Sequence, residues 1–175
     1  SITASRSSYN SCIEYVSWFR YVTNLFTKYS IMDMSTINWL AILVAGISSF
    51  VIGGIWYSPG LFGKAWMQDN QLTEDDVKKG NKGKIFGWTL LFSLLMAANL
   101  GMFLTGPKAD CPADCITKVD MAWGATAGFL AGVWTFCAIA IHSLFEQKPW
   151  RLIFINGFYS LVSLTVMGAI IGMWR

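Results

Sequence analysis

One histidine stands in the whole 175-residue chain, His142, and a carboxylate follows one helical turn later at Glu146. Downstream, Asn156, Ser160 and Ser163 fall along one helical stripe with Tyr159 beside them, and Asn99 lies in an earlier apolar stretch. Residues four apart share a helix face. An imidazole and a carboxylate placed that way, near an amide and a phenol, have the chemistry for a polar pocket or a proton path through His142, Glu146, Asn156 and Tyr159. In an apolar setting the same residue types also serve as plain interhelical hydrogen bonds, worth about 0.6 kcal/mol each. No acid or lysine sits deep inside these stretches, which weighs against a proton-coupled pump.

Other chemistries find no set of residues. A single histidine cannot build a zinc site of the HExxH kind. No G-x-S-x-G elbow occurs, and no haem or iron–sulfur signature is present. The "GNKGK" stretch has the wrong spacing for a phosphate-binding loop and is followed by no Ser or Thr. No catalytic, cofactor-binding or metal-ligating residue is therefore assigned, and no cofactor is expected. A few loop lysines give no support for nucleic-acid binding. In "CPADC", Cys111 and Cys115 would close a small disulfide loop in an oxidising compartment or remain two free thiols. A metal site there would need more ligands. Cys12 and Cys137 look unpaired, and Cys137 reads as a small apolar filler.

The elements that carry these residues are set by where charge is missing. Hydrophobic residues make up 54% of the chain and charged ones only 13%, against about 25% in soluble domains. A soluble protein of this size could not hide so much apolar surface. No Lys, Arg, Asp or Glu occurs in 35–63, 85–107, 121–145 or 152–174. A spanning helix needs about 20 predominantly apolar residues, and a charge at mid-bilayer costs roughly 2.5–3.5 kcal/mol. Four spans follow, at about 37–57, 85–105, 121–145 and 150–173. The expected fold is all-α: a compact polytopic bundle of four transmembrane helices, preceded by an interfacial amphipathic helix. Residues 1–33 form an N-terminal extension and 34–175 the membrane domain.

Span ends carry interface residues. "VIGGIWYSPGLFGKAW" passes from aliphatics and glycines into Trp56, Tyr57, Ser58, Pro59 and Gly60, with Trp66 beyond. Trp and Tyr favour the membrane–water boundary. Pro59 lacks an N–H and disfavours helix at Ser58, so the first span should stop there. Trp56, Tyr57, Pro59 and Trp66 are thus read as a membrane exit and its anchor. In 58–84, Thr73 and Asp76 approximate a capping box, so a short surface helix is expected over about 73–79. The lysines that follow would face anionic headgroups.

Small residues suggest which helices approach closely, because lipid gives helices no hydrophobic reason to associate and backbone proximity replaces it. The third span shows Gly124, Gly128 and Gly132. The first shows Ala41, Ala45, Ser49 and Gly53 at the same interval, and the fourth Gly168 and Gly172. The two longest ladders predict that spans one and three are central and cross closely.

Lys and Arg in short loops set orientation. Residues 58–84 and 146–151 hold seven: Lys64, Lys78, Lys79, Lys82, Lys84, Lys148 and Arg151. The other side holds Lys108, Lys118 and Arg175, and six once Arg6, Arg20 and Lys28 are counted. The heavier side is expected in the cytoplasm, matrix or stroma, with both termini opposite. In the extension, Cys12, Tyr15, Val16, Phe19, Val22, Phe26 and Tyr29 recur at helical spacing with Arg20, Asn24 and Lys28 on the other face. That pattern suits an amphipathic helix lying in the interface. Its Ser-rich, acid-poor start also suits an organellar targeting segment.

Three stretches carry a family resemblance: "INWLAILVAGISSFVIGGIWYSPGLFGKAWMQDNQLTEDD", "KIFGWTLLFSLLMAANLGMFL" and "LFEQKPWRLIFINGFYSLVSLTVMGAIIGMW". Over about 37–174 the chain resembles the bacterial membrane family catalogued as domain of unknown function 1761. The most specific match is W-Y-S-P-x-x-F-G-x-x-W (Trp56, Tyr57, Ser58, Pro59, Phe62, Gly63, Trp66), with Glu146, Asn156 and Tyr159 in their context. The resemblance implies a compact four-span protein of a bacterial inner membrane and no particular activity; the targeting character of the extension gives an organellar inner membrane as the alternative. Typical members begin near Met34, so the extension and the "CPADC" loop depart from the pattern. The ends of spans one and three, "WYSPGLFGKAW" and "HSLFEQKPW", also suggest a parallel internal repeat.

Two functions remain open at this level. One is a non-enzymatic structural or interaction subunit, partnered by the lipid bilayer and by other membrane subunits or copies of itself. The other is a small transporter or channel with a polar site between spans three and four.

Overall fold

A computed structural model describes residues 37–104 and 119–174. The expected interfacial helix, Cys12 and the Cys111/Cys115 loop lie outside the described residues. Among the described residues six helices follow in order: α1 (Trp39–Trp56), α2 (Gly63–Asp69), α3 (Glu74–Lys79), α4 (Lys82–Leu104), α5 (Met121–Phe145) and α6 (Trp150–Met173). No strand occurs among the described residues. Four of the helices, α1, α4, α5 and α6, are long and apolar enough to cross a membrane, and the chain is a multi-pass membrane protein of the expected all-α class.

Helix starts follow local chemistry. The Asn38 side chain accepts from Ala41 N at 3.1 Å, and Asp120 accepts from Trp123 N at 2.8 Å. Each satisfies a backbone donor that the first turn leaves orphaned. Asn38 also donates through Nδ2 to the Trp174 carbonyl at 2.9 Å, tying the start of α1 to the end of α6. The capping box of α3 is complete: Asp76 N donates to Thr73 Oγ1 at 3.2 Å, and Thr73 N donates to Asp76 Oδ2 at 3.0 Å. Helix α4 begins at Lys82, ahead of its apolar window, because Asn81 Oδ1 accepts from Lys84 N and extends the helix into its charged first turn.

Neighbouring spans run antiparallel. Ile42 packs on Gly101, Gly46 on Leu94 and Phe50 on Phe86, which joins α1 to α4. Ile42, Ala45, Ala97, Leu100, Ala127, Leu164, Met167 and Ile171 gather into one buried cluster drawn from all four spans. The cluster lies toward the end where Asn38 meets Trp174.

The expected crossing of spans one and three is not what forms. Helices α1 and α5 share no packed seam, and α6 is central instead. Along its most apolar stretch α6 is 44% buried, against 17% for α5. The glycines explain the choice. A Cβ on Gly124 would overlap the Gly168 carbonyl, one on Gly168 would overlap the Gly124 carbonyl, and one on Gly128 would overlap the Leu164 carbonyl. Two bare backbones therefore lie against each other, the arrangement that Cα–H···O contacts favour. The α5 ladder meets a matching ladder on the next helix in sequence. The α1 ladder meets α6 and its side chains, as Ser49 and Gly53 against Tyr159 show.

A methyl at position 128 has no flexible side chain to displace, only backbone. Gly128→Ala should therefore lower stability by about 2 kcal/mol or more. Gly54→Ala, with open space around it, should leave stability within about 1 kcal/mol of the parent. Thermal unfolding of both variants in one detergent compares them directly.

Candidate functional site

Polar side chains of α1 and α6 converge in one place, at the loop end of α1 where it meets the first turns of α6. The chain leaves α1 through a tight turn. Phe62 N donates to the Trp56 carbonyl at 3.1 Å, and Leu61 N and Gly63 N both donate to the Ser58 carbonyl, at 3.1 and 2.9 Å. A Cβ at Gly63 would overlap the Tyr57 carbonyl, so only glycine closes the turn. It reverses the chain into α2, which brings Trp66 back to Tyr57 with ring centroids 5.9 Å apart.

That turn points Trp56 and Tyr57 at α6. Trp56 Nε1 donates to the Ile155 carbonyl at 3.0 Å, and Tyr57 Oη donates to Asn156 Oδ1 at 3.0 Å. Tyr159 reaches the other way. Its hydroxyl donates to the Ser49 carbonyl at 3.3 Å and lies 3.4 Å from Ser49 Oγ. The Tyr57 and Tyr159 rings meet edge to face at 5.4 Å, a preferred aromatic geometry. Gly53 makes room for the Tyr159 phenol, whose oxygen lies 3.1 Å from where a Cβ would stand.

A second contact fastens α2 to α6. Arg151 Nε donates to Asp69 Oδ2 at 2.8 Å and Nη2 to Asp69 Oδ1 at 2.5 Å, a two-pronged pair. Nη2 also donates to Gln68 Oε1 at 3.1 Å. Asp69 is well covered, its side chain 9% exposed, while Arg151 is half open to its surroundings. The Arg151 guanidinium hydrogen-bonded to it holds the Asp69 carboxyl below its ordinary value of 3.8. In α3, hydrogen bonds from Thr73 likewise lower Asp76.

Of the residues singled out in the sequence, Asn156 and Tyr159 are brought together here, with Trp56, Tyr57 and Trp66 around them. His142, Glu146 and Asn99 are elsewhere. His142 is exposed on α5, Glu146 is exposed as that helix's C-cap, and Asn99 is exposed on α4. Pro59 is exposed in the turn, and Cys137 is exposed on α5. Ser160 Oγ donates to its own helix at the Asn156 carbonyl, 3.2 Å away. Ser163 is buried and its hydroxyl has no partner. Sequence reasoning missed the Asp69–Arg151 pair, and with it α2. The signal available was Arg151 opening an apolar span, a charge at the membrane edge that calls for a partner.

Chemically this cluster is a set of hydrogen bonds that fasten α1 to α6 across their seam, and within it no nucleophile stands beside a base. Among the described residues no group of three or more His, Cys, Asp or Glu is gathered as metal ligands would be.

Removing the Tyr57 hydroxyl leaves Asn156 Oδ1 without its donor, so Tyr57→Phe should cost about 1 kcal/mol. His142→Ala should stay within about 0.5 kcal/mol of the parent. Thermal unfolding in detergent separates the two. A carboxyl held below its free value adds stability above that free value and loses it as pH falls through the lowered one. The gap in unfolding temperature between parent and Asp69→Asn should therefore be constant above about pH 5 and close on further acidification.

Compared with known proteins, the chain matches the family model described as "Protein of unknown function (DUF1761)" over residues 40–172. No curated protein and no solved structure matches it.

Proposed function

The chain belongs to that family, and from this premise we propose that it acts as a non-enzymatic structural or interaction subunit within a membrane, assembling with copies of itself or with other membrane proteins. One observation carries the reading. The polar groups that converge inside the protein are consumed in holding α1, α2 and α6 together, while α4 and α5 turn broad apolar faces outward. Trp134 is 83% exposed and Phe145 86%, and Asn99 adds an exposed amide within a span. Internal chemistry is directed to cohesion, and what is left over faces neighbours.

The same proposal places the chain in a bacterial inner membrane, or alternatively an organellar one, with 58–84 and 146–151 on the cytoplasmic, matrix or stromal side. Its support is the seven-to-six excess of Lys and Arg there. The transporter reading draws on the buried, unpartnered Ser163 hydroxyl, a polar atom in the middle of the bundle that a passing solute would use.

Native mass measurement from lipid nanodiscs, paired with flux assays in liposomes, discriminates the two. Expected are assemblies larger than one chain and ion or solute flux no faster than in empty liposomes. Flux by the purified chain that Ser163→Ala abolishes would establish the transporter instead. An impermeant amine reagent on intact cells should spare Lys64 and Lys148; labelling of both reverses the orientation.

A further inference from the structure

Asn99 is the residue of α4 that its surroundings do not explain. It lies within the charge-free stretch 85–107, five residues before the helix ends at Leu104, about 7.5 Å along the axis at 1.5 Å per residue. Its side chain is exposed, and no described residue offers it a hydrogen bond. The buried residues of α4 are Ser93, Ala97, Leu100, Gly101 and Leu104. At 100° per residue, Asn99 falls on the opposite side of the helix from their mean direction. It is therefore turned outward, away from every described residue that could bond its amide. Intramembrane polar side chains as a rule face protein.

Its neighbours on that face are Ile85, Trp88, Phe92 and Leu95, all exposed. Together the five residues step by 3, 4, 3 and 4. Any outward helix face can show such spacing, and that of α5 does also. The outward polar groups of α5 are accounted for, however. Thr126 Oγ1 donates to its own helix at the Ala122 carbonyl, and His142 lies in the last turn, within reach of headgroups. Only on α4 does a carboxamide interrupt an apolar heptad seam, the placement that fixes register in parallel helix pairs.

We propose that this face of α4 is a self-association surface, on which Asn99 hydrogen-bonds to its counterpart in a second copy of the chain. The occupant is chosen by geometry. Two copies inserted in one membrane carry α4 in the same direction, so Asn99 of each lies at the same depth. A carboxamide is both donor and acceptor, so it complements itself across a two-fold axis along the membrane normal. A seam of large side chains meeting as knobs into holes suits the left-handed crossing usual between membrane helices. The inference rests on the subunit reading above and names its partner.

The test uses the full chain, fluorescently labelled, in liposomes at a series of protein-to-lipid ratios, with stoichiometry counted by single-molecule photobleaching. The parent should pass from one chain to two, and no further, as density rises. Asn99→Leu, a change that suits a lipid-facing site, should weaken pairing about tenfold. Asn99→Gln should retain most of it, and Phe129→Ala on the outward face of α5 should change nothing. Equal unfolding temperatures for parent and Asn99→Leu at low density would show that the monomer is unaffected. Pairing as strong in Asn99→Leu as in the parent would overturn the proposal, as would a chain that stays single at every density. A chain that is single alone but assembles stoichiometrically with a different membrane protein would overturn it and leave the subunit reading standing. Ser163-dependent flux would remove that reading whatever the stoichiometry.

Discussion

Two stretches of backbone lie against each other without side chains between them, and the rest of the protein is arranged around that contact. Along α5 and α6 the positions of closest approach are Gly124, Gly128 and Gly168, each facing a carbonyl of the other helix. Apolar side chains cannot supply this attachment in a bilayer, because hydrocarbon tails solvate Leu as well as another helix does. Dispersion between closely fitted surfaces remains, and it falls away steeply with separation. The two helices form one unit, and α6 keeps its other face for α1.

That other face works by different means. Where α5 meets α6 through bare backbone, α1 meets α6 through directional bonds at both ends. Asn38 holds Trp174 at one end, and Trp56 and Tyr57 hold Ile155 and Asn156 at the other. Between them, small residues at Ala41 and Ala45 are fully buried. Helix α4 then leans on α1 through Ile42, Gly46 and Phe50. The outermost helices, α4 and α5, flank this core and supply most of the surface that a membrane or a neighbour would meet.

The spans could be read directly from sequence because a bilayer imposes a nearly one-dimensional rule: charges must stay out of a slab of known thickness. Partner choice follows no such rule. A ladder of glycines such as Gly124 to Gly132 states how near a neighbour can come and says nothing about which neighbour it is, so pairing two ladders by length joined the wrong helices. The polar cluster was half legible. Asn156 and Tyr159 stood out as polar residues in apolar surroundings. Trp56 and Tyr57 read as residues that prefer the headgroup region, since nothing in their spacing reveals that Gly63 folds the chain back beside them. Helix α2 is seven residues long, too short to show a period, and it became visible only through the ion pair it delivers to Arg151.

In the seam between α1 and α6, the Trp56 and Tyr57 bonds each join residues 99 positions apart in the chain. At typical synthesis rates of about 5–20 residues per second, the Trp56 indole and Tyr57 phenol emerge roughly 5–20 s before the residues that accept their protons. For that interval the first helical hairpin must live in the membrane with these groups unanswered, close enough to the boundary for water to stand in. The second hairpin, joined by a short connection, can close upon itself as soon as it is made. The α1–α6 seam can therefore close only after the C-terminal pair has been made.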